Sequence, residues 1–300
     1  MTVNAIRPSA AARALGIEPT AIRRIHARAN VHWRVEAPSG AFVLRLYRQD
    51  ASVAAIRFEH AVLAHLDSRG WPVAAAVADP VEVDGRWWAL FPRLRGPAPR
   101  HWADGDERHR WRGELLAKLH ADTAELTRAL GQRDGWHRCD EAAVVTPEHI
   151  ALLARLRRLD RPRSVGLERH ARTIAEGVRF LQAGTMLHVV VHGDFVPWNL
   201  MVRGRELVGL LDFDLTHLDS RAADVAWASW GGTAPAVIDG YSSVAPLTEE
   251  EEAALPLLWR AAWLAVAWAS LAKNTDRVDR SLDQALEKLA RPWGSRDAVS

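Results

Sequence analysis

Two carboxylates and one amide hold the most telling spacing in this chain. They lie in the stretch Val189 to Asp214, VVVHGDFVPWNLMVRGRELVGLLDFD, where His192-Gly193-Asp194 is followed by Asn199 and then by Asp212. Asp194 leaves an apolar run of strand type and enters a loop, where a rigidly held side chain can still reach a ligand. A carboxylate there can accept a hydrogen bond from a substrate hydroxyl and aim its oxygen at phosphorus. Asn199 offers a neutral oxygen and Asp212 a charged one, and Mg²⁺ takes a few such hard oxygens, completing its shell with phosphate and water. A hairpin between Asn199 and Asp212 would bring both to one end of a two-strand ribbon. The pattern H-G-D-x-x-x-x-N arises by chance on the order of once in several hundred chains of this length, so an incidental acidic loop is the weaker reading. The chemistry expected is phosphoryl transfer from a nucleotide to a small molecule.

The elements that must position these residues fall into two groups. Residues 9–28 read as a short helix and the start of a strand. Val31 to Val35 and Ala41 to Tyr47 alternate about the turn Pro38-Ser39-Gly40, and Val81 to Val83 and Arg86 to Phe91 flank Asp84-Gly85, giving two β-hairpins. Between the hairpins, residues 52–69 carry apolar side chains at helical spacing up to Gly70. Pro92 to Pro99 reads as a linker, and helical periodicity then dominates over 107–122, 147–159, 168–183 (with Gly184 as its C-cap), 219–230, 249–272 and 279–290. Leu187 to Val191 is a buried-type strand, and Leu200 to Leu211 a hairpin turning at Arg203-Gly204. The expected fold class is α+β: a small β-rich N-terminal lobe with one helix over residues 1–95, and a larger, mainly helical C-terminal lobe over 96–300.

The catalytic stretch resembles the aminoglycoside phosphotransferase and choline kinase family of small-molecule kinases, which share the bilobal protein-kinase-like fold. That resemblance implies Asp194 as the catalytic aspartate, Asn199 and Asp212 as Mg²⁺ ligands, and His192 as the residue that holds the catalytic loop. Asp214 stands where protein kinases carry the glycine of D-F-G, and is left among three roles: supporting the metal ligands from behind, facing the metal, or lying at the surface. Asp224 matches an acid expected to brace the loop, and His120 a histidine with a structural contact. In the small lobe, Arg45 takes the place of the phosphate-contacting lysine, with Glu59 as its partner. The exchange matters, because a planar fork replaces a point charge. The loop His26 to His32, with Ala29-Asn30 at its tip, would cover the phosphates without a G-x-G-x-x-G pattern. Pro92 would accept from the adenine amino group through its carbonyl, and Leu94 would donate through its N–H. ATP and Mg²⁺ are the implied cofactors, with GTP open as the donor.

Composition bounds the rest. At 300 residues, 48% hydrophobic and 25% charged, the chain reads as an ordinary soluble protein of about two domains. One cysteine, Cys139, excludes an internal disulfide and a CxxC metal site, and it is read as an inert surface or packing thiol. No signal peptide is recognised, and the apolar run Leu255 to Ala272 reads as a core helix too short to span a bilayer. A cytoplasmic monomer or homodimer is expected, without membrane or nucleic-acid partners. Residues 1–100 are net +6 and the remainder net −4. A basic half suits a polyphosphate and an acidic half, with acids near 104–107, 214–219 and 276–287, a cationic acceptor. The acceptor expected on that ground is a cationic antibiotic, an aminoglycoside or basic peptide. A homoserine or choline kinase is the alternative, and a nucleotide-binding pseudokinase a minor one. Of the fourteen tryptophans, Trp227, Trp230, Trp259, Trp263 and Trp268 recur at helical spacing and are read as core, and Trp198 and Trp230 carry a lesser reading as pocket walls.

Overall fold

The computed structural model of the protein describes residues 7–25, 30–97, 106–181, 186–229, 232–273 and 280–293. In chain order it forms α1 (Pro8–Ala14), β1 (Ala21–Ile25), β2 (Val31–Ala37), β3 (Gly40–Leu46), α2 (Val53–Ser68), β4 (Val81–Val83) and β5 (Arg86–Pro92). Next come α3 (Asp106–Thr123), α4 (Leu126–Leu130), α5 (Cys139–Ala142), α6 (Pro147–Leu159), α7 (Arg161–Phe180) and β6 (His188–Val191). The chain continues with β7 (Leu200–Arg203), β8 (Glu206–Leu210), β9 (His217–Ser220), α8 (Arg221–Ala228), α9 (Ala234–Ser242), α10 (Glu249–Lys273) and α11 (Arg280–Ala290). This is the mixed α+β class expected, an N-terminal antiparallel sheet followed by a larger helical part.

The chain divides into two compact units. The first comprises residues 1–101, 133–135 and 196–214. Its five-stranded antiparallel sheet runs in the order β1-β2-β3-β5-β4. Alternation places Trp33, Val35, Phe42, Leu44, Leu46, Trp88 and Leu90 in one core against Ala11, Ala12 and Leu15 of the first helix. Asp84 and Gly85 turn β4 into β5 with φ of 56° and 71°, the left-handed pair that matches strand twist. Ser52 caps α2 by accepting from the Ala55 N–H, and α2 buries Ile56, Phe58, Val62, Leu63 and Leu66. The β7–β8 ribbon belongs to this unit too, with the Leu210 N–H donating to the Pro72 carbonyl at 2.8 Å.

The second unit comprises residues 102–132, 136–195 and 215–300. Here α7 begins at Arg161 rather than near 168, because Asp160 caps it by accepting from the Arg163 N–H and Pro162 suits its first turn. Four further elements depart from the expected list: α4, α5, α9 and the strand β9, which pairs antiparallel with β6. Helices α3 and α9 approach so closely that a Cβ on Gly240 would meet the Arg110 carbonyl at 1.8 Å, and one on Gly113 the Val237 carbonyl at 2.1 Å. Gly184 lies outside the described residues. α10 spans 25 residues and is apolar enough to cross a membrane by length and composition, so the length argument against a span does not hold. It packs instead within its own unit, burying Leu255, Leu258, Trp259, Trp263, Leu264, Ala267 and Trp268.

Candidate active site

The first unit gathers charge around Arg45. This residue lies in the middle of β3, opposite His32 of β2 and Ala89 of β5. Its Nε donates to His32 Nε2 at 3.0 Å, and one guanidinium nitrogen donates to both Glu59 at 2.6 Å and Asp214 at 2.8 Å. The Phe91 ring lies 4.8 Å from the guanidinium carbon. Burial opposes the charge on Arg45, but Glu59 and then Asp214 outweigh it and hold its pKa above the ordinary arginine value. Asp214, whose role the sequence leaves open, accepts from Arg45 and, at 2.5 Å, from the Asn30 amide, whose oxygen accepts the Arg48 N–H. Asn30 is the described end of the loop proposed to cover phosphates; His26 to Ala29 lie outside the described residues. Arg133 adds a second cation, 3.6 Å from Glu59 and donating to the Asp214 carbonyl.

Glu59 is fully buried between these two arginines. Glu59→Gln is expected to destabilise the protein by about 2 kcal/mol, below the usual cost of breaking a buried pair because Asp214 still balances Arg45. Urea unfolding at neutral pH measures it. His32 and His60 carry a pH dependence. Each imidazole has its pKa lowered to about 4, first by burial and then by the charge of Arg45. The unfolded chain protonates both near 6.5. Between those values the unfolded state binds protons that the folded state refuses, so stability falls as pH drops through that window and levels off below it. Unfolding midpoints at about pH 7 and about pH 4.5 should diverge less in a His32→Gln, His60→Gln double variant than in the wild type.

At the end of β5 the antiparallel ladder with β3 runs one residue past the strand. Arg93 extends the ladder by donating to the Ala41 carbonyl. By the alternation of antiparallel backbone groups, the Pro92 carbonyl and the Leu94 N–H face away from β3. On the β7–β8 ribbon, Leu200 pairs with Leu210 and the Asn199 carbonyl accepts the Leu211 N–H at 2.9 Å. Asn199 and Asp212 thus sit at one end of the ribbon. Asp212 has φ of 65°, a left-handed conformation that costs a non-glycine residue energy and gathers at functional positions.

The second unit builds the loop that carries Asp194. β6 ends at Val191, and the next two backbone N–H groups, of His192 and Gly193, donate to the two oxygens of Asp224 at 2.9 and 3.1 Å. Asp224 lies in the first turn of α8, which Ser220 caps. His120 Nε2 is 3.0 Å from Asp224, and its Nδ1 is 2.8 Å from the Tyr241 hydroxyl. Burial would raise the Asp224 pKa, but the His120 hydrogen bond and the nearby histidines and N–H groups overcome it and lower it. His192 is fully buried and its Nδ1 accepts the Asp194 N–H at 3.2 Å. Asp194 itself is half-buried and accepts from the Trp227 indole N–H at 3.0 Å.

Sequence reasoning passed over Trp227, read as core, and Arg112, Arg133 and Tyr241. Trp227 had one available signal, its position three residues after Asp224 on the same helix face. Trp198 is 39% exposed, and Trp230 lies outside the described residues. The acids thought to attract a cation are largely engaged: Asp214 with Arg45 and Asn30, and Asp219 with the Cys139 and Ser220 N–H groups. Asp283 pairs with Arg163, and residues 104–105 and 276–279 lie outside the described residues. Cys139 is buried, its thiol donating to the Leu258 carbonyl.

The chain belongs to the phosphotransferase enzyme family, whose model matches residues 21–254. It is a small-molecule kinase. A homoserine kinase of Afipia carboxidovorans is 31% identical over 83% of this chain and 81% of its own length. A homoserine kinase of Beijerinckia indica is 30% identical over 81% of this chain and 77% of its own. Among solved structures, an amicoumacin kinase in complex with AMP-PNP, Ca²⁺ and its antibiotic superposes with a TM-score of 0.70 at 12% identity, covering 94% of this chain and 92% of that one. A spectinomycin phosphotransferase with ADP and spectinomycin gives 0.63 at 12%, covering 96% of each. At such identities these structures bear on the fold alone.

Proposed function

We propose that the chain is an ATP-dependent O-kinase of a small amino acid hydroxyl of the homoserine type. The observation that carries this reading is the pair of homoserine kinases that align over four-fifths of the chain at about the same identity. It displaces the cationic antibiotic as the leading acceptor, since that expectation leaned on acids now engaged internally. In the proposed reaction the Asp194 carboxylate orients the acceptor hydroxyl and takes its proton. The hydroxyl oxygen then bonds to the γ-phosphorus as the bond from that phosphorus to the β–γ bridging oxygen breaks, releasing ADP.

Asn199 and Asp212, an amide oxygen and a carboxylate at one ribbon end, are a hard-oxygen donor set that fits Mg²⁺. The ion, when bound, would neutralise charge on the transferring phosphoryl group. Arg45 would contact the nucleotide phosphates, Glu59 and Asn30 would support it, and Pro92 and Leu94 would read the adenine edge. His192 would hold the loop. ADP release with ATP, Mg²⁺ and, separately, homoserine, choline, aminoglycosides and basic peptide antibiotics tests the proposal. Turnover confined to homoserine supports it. Turnover confined to an antibiotic overturns the acceptor, and silence on all with ATP binding intact favours a pseudokinase.

A further inference from the structure

We infer that Trp227 is a positioning residue for Asp194, its indole N–H setting the rotation of the carboxylate that meets the acceptor hydroxyl. The inference rests on the phosphoryl-transfer reading above, in which Asp194 is the base. One face of α8 serves the whole loop. Asp224 takes the backbone N–H groups of His192 and Gly193, and Trp227, three residues on, reaches the Asp194 side chain. Backbone and carboxylate are thereby referred to the same rigid element.

Three observations separate this from ordinary core packing. First, an indole N–H can only donate, so it fixes one carboxylate oxygen, Oδ1, at a set point. The neighbouring tryptophans of α10 behave otherwise: the buried Nε1 atoms of Trp259, Trp263 and Trp268 have no hydrogen-bond partner. Second, the ring of Trp227 is held from behind, its centroid 5.0 Å from that of Trp263, which in turn meets Trp259 edge-on at 6.2 Å. A ring fixed in this way delivers its N–H to one point.

Third, a single buried guanidinium ties donor and acceptor together from the backbone. Arg112 of α3 is 1% exposed, and one of its nitrogens donates to the Phe195 carbonyl at 2.9 Å and the Ala228 carbonyl at 2.7 Å. Phe195 follows Asp194, and Ala228 follows Trp227. The other terminal nitrogen contacts His109 and Thr233, and burial brings the Arg112 pKa down to about 9. A cation kept at that cost between two carbonyls fixes the spacing of the segments whose side chains make the Trp227–Asp194 bond.

Trp227→Phe keeps an aromatic ring on the Trp263 side and deletes the donor together with part of the indole's bulk. The expected result is a kcat about 10- to 100-fold lower, the loss of one hydrogen bond to a charged group, with KM for ATP, ATP affinity by calorimetry and Tm unchanged. Added to Asp194→Ala, the same substitution should lower the residual rate no further, because the two act as one unit. An unchanged kcat in Trp227→Phe beside an inactive Asp194→Ala overturns the inference and leaves the reaction class standing. An active Asp194→Ala overturns the reaction reading itself. A Trp227→Phe protein with lowered Tm and raised KM for ATP together assigns the residue to packing and overturns the inference. If that variant does not fold, Trp227→Leu replaces it, since it too carries no donor: a kcat loss with ATP affinity unchanged supports positioning, and full activity refutes it.

Discussion

Asp194→Ala is expected to lower kcat by about 10²- to 10⁴-fold while ATP still binds. The carboxylate belongs to the second unit, whereas Arg45, Glu59, Asn199 and Asp212 belong to the first. Removing it takes away the group proposed to accept the hydroxyl proton and leaves the proposed nucleotide contacts intact. Its loss also strands the Trp227 N–H. Trp227 is half-buried, so water can serve that donor and the cost in stability is small. Asp194→Asn tightens the test, because the amide oxygen can still accept from the indole while the base is gone. Both variants should lose at least about 100-fold in kcat with Tm near that of the wild type, as activity assay, ATP titration and thermal melting together would show. A kcat within about 10-fold of the wild type in either would remove Asp194 from the mechanism.

Gly193→Ala is expected to destabilise the protein by about 3–5 kcal/mol and to abolish transfer at temperatures where it remains folded. Two separate penalties combine. Gly193 holds φ of 81°, where any side chain is strained. A Cβ built there would lie 2.4 Å from the Leu215 carbonyl oxygen and 2.8 Å from the Leu215 Cβ, neither of which can yield without shifting backbone. The loop would have to lift away from Asp224, breaking the two N–H bonds that fix it beside Asp194. Gly204, with φ of 63° and open space around it, is the control, since Gly204→Ala meets the strain alone at about 1 kcal/mol. Equal melting temperatures for the two variants would show that the Leu215 contact carries no weight. The same contact gives a physical reason for the glycine in H-G-D: a larger residue has no room there.

Much of the fold was legible because local chemistry specified it. Asp84-Gly85 announces a hairpin, and Ser52 with Gly70 brackets α2. The elements that escaped are those whose reason is tertiary. α9 contains Pro235 and Gly240 and is only nine residues long, with a short buried face of Ala234, Val237 and Tyr241, and its backbone lies directly against α3. β9 reads His-Leu-Asp-Ser and is a strand only because β6 pairs with it. The site follows the same division. Asp194, Asn199 and Asp212 stood out by spacing within one stretch, and Asp224 by resemblance to a family acid. Arg112, Arg133 and the partnership of Asp214 with Arg45 join residues more than 70 positions apart, in a chain where arginine is too common to attract notice.

The interrupted make-up of the first unit bears on how the protein can be synthesised. A polypeptide leaves the ribosome N-terminus first. The five-stranded sheet and α2 emerge complete within residues 1–101, yet Arg133, the β7–β8 ribbon and Asp214 of the same unit follow much later. Until then buried Glu59 has Arg45 but not its second arginine, and the Pro72 carbonyl lacks the Leu210 N–H that it will accept. Closing these contacts means looping out long intervening segments, an entropic step that delays completion. The nascent N-terminal half is therefore a partially satisfied intermediate, and a fragment ending near residue 101 would not be a free-standing nucleotide-binding module.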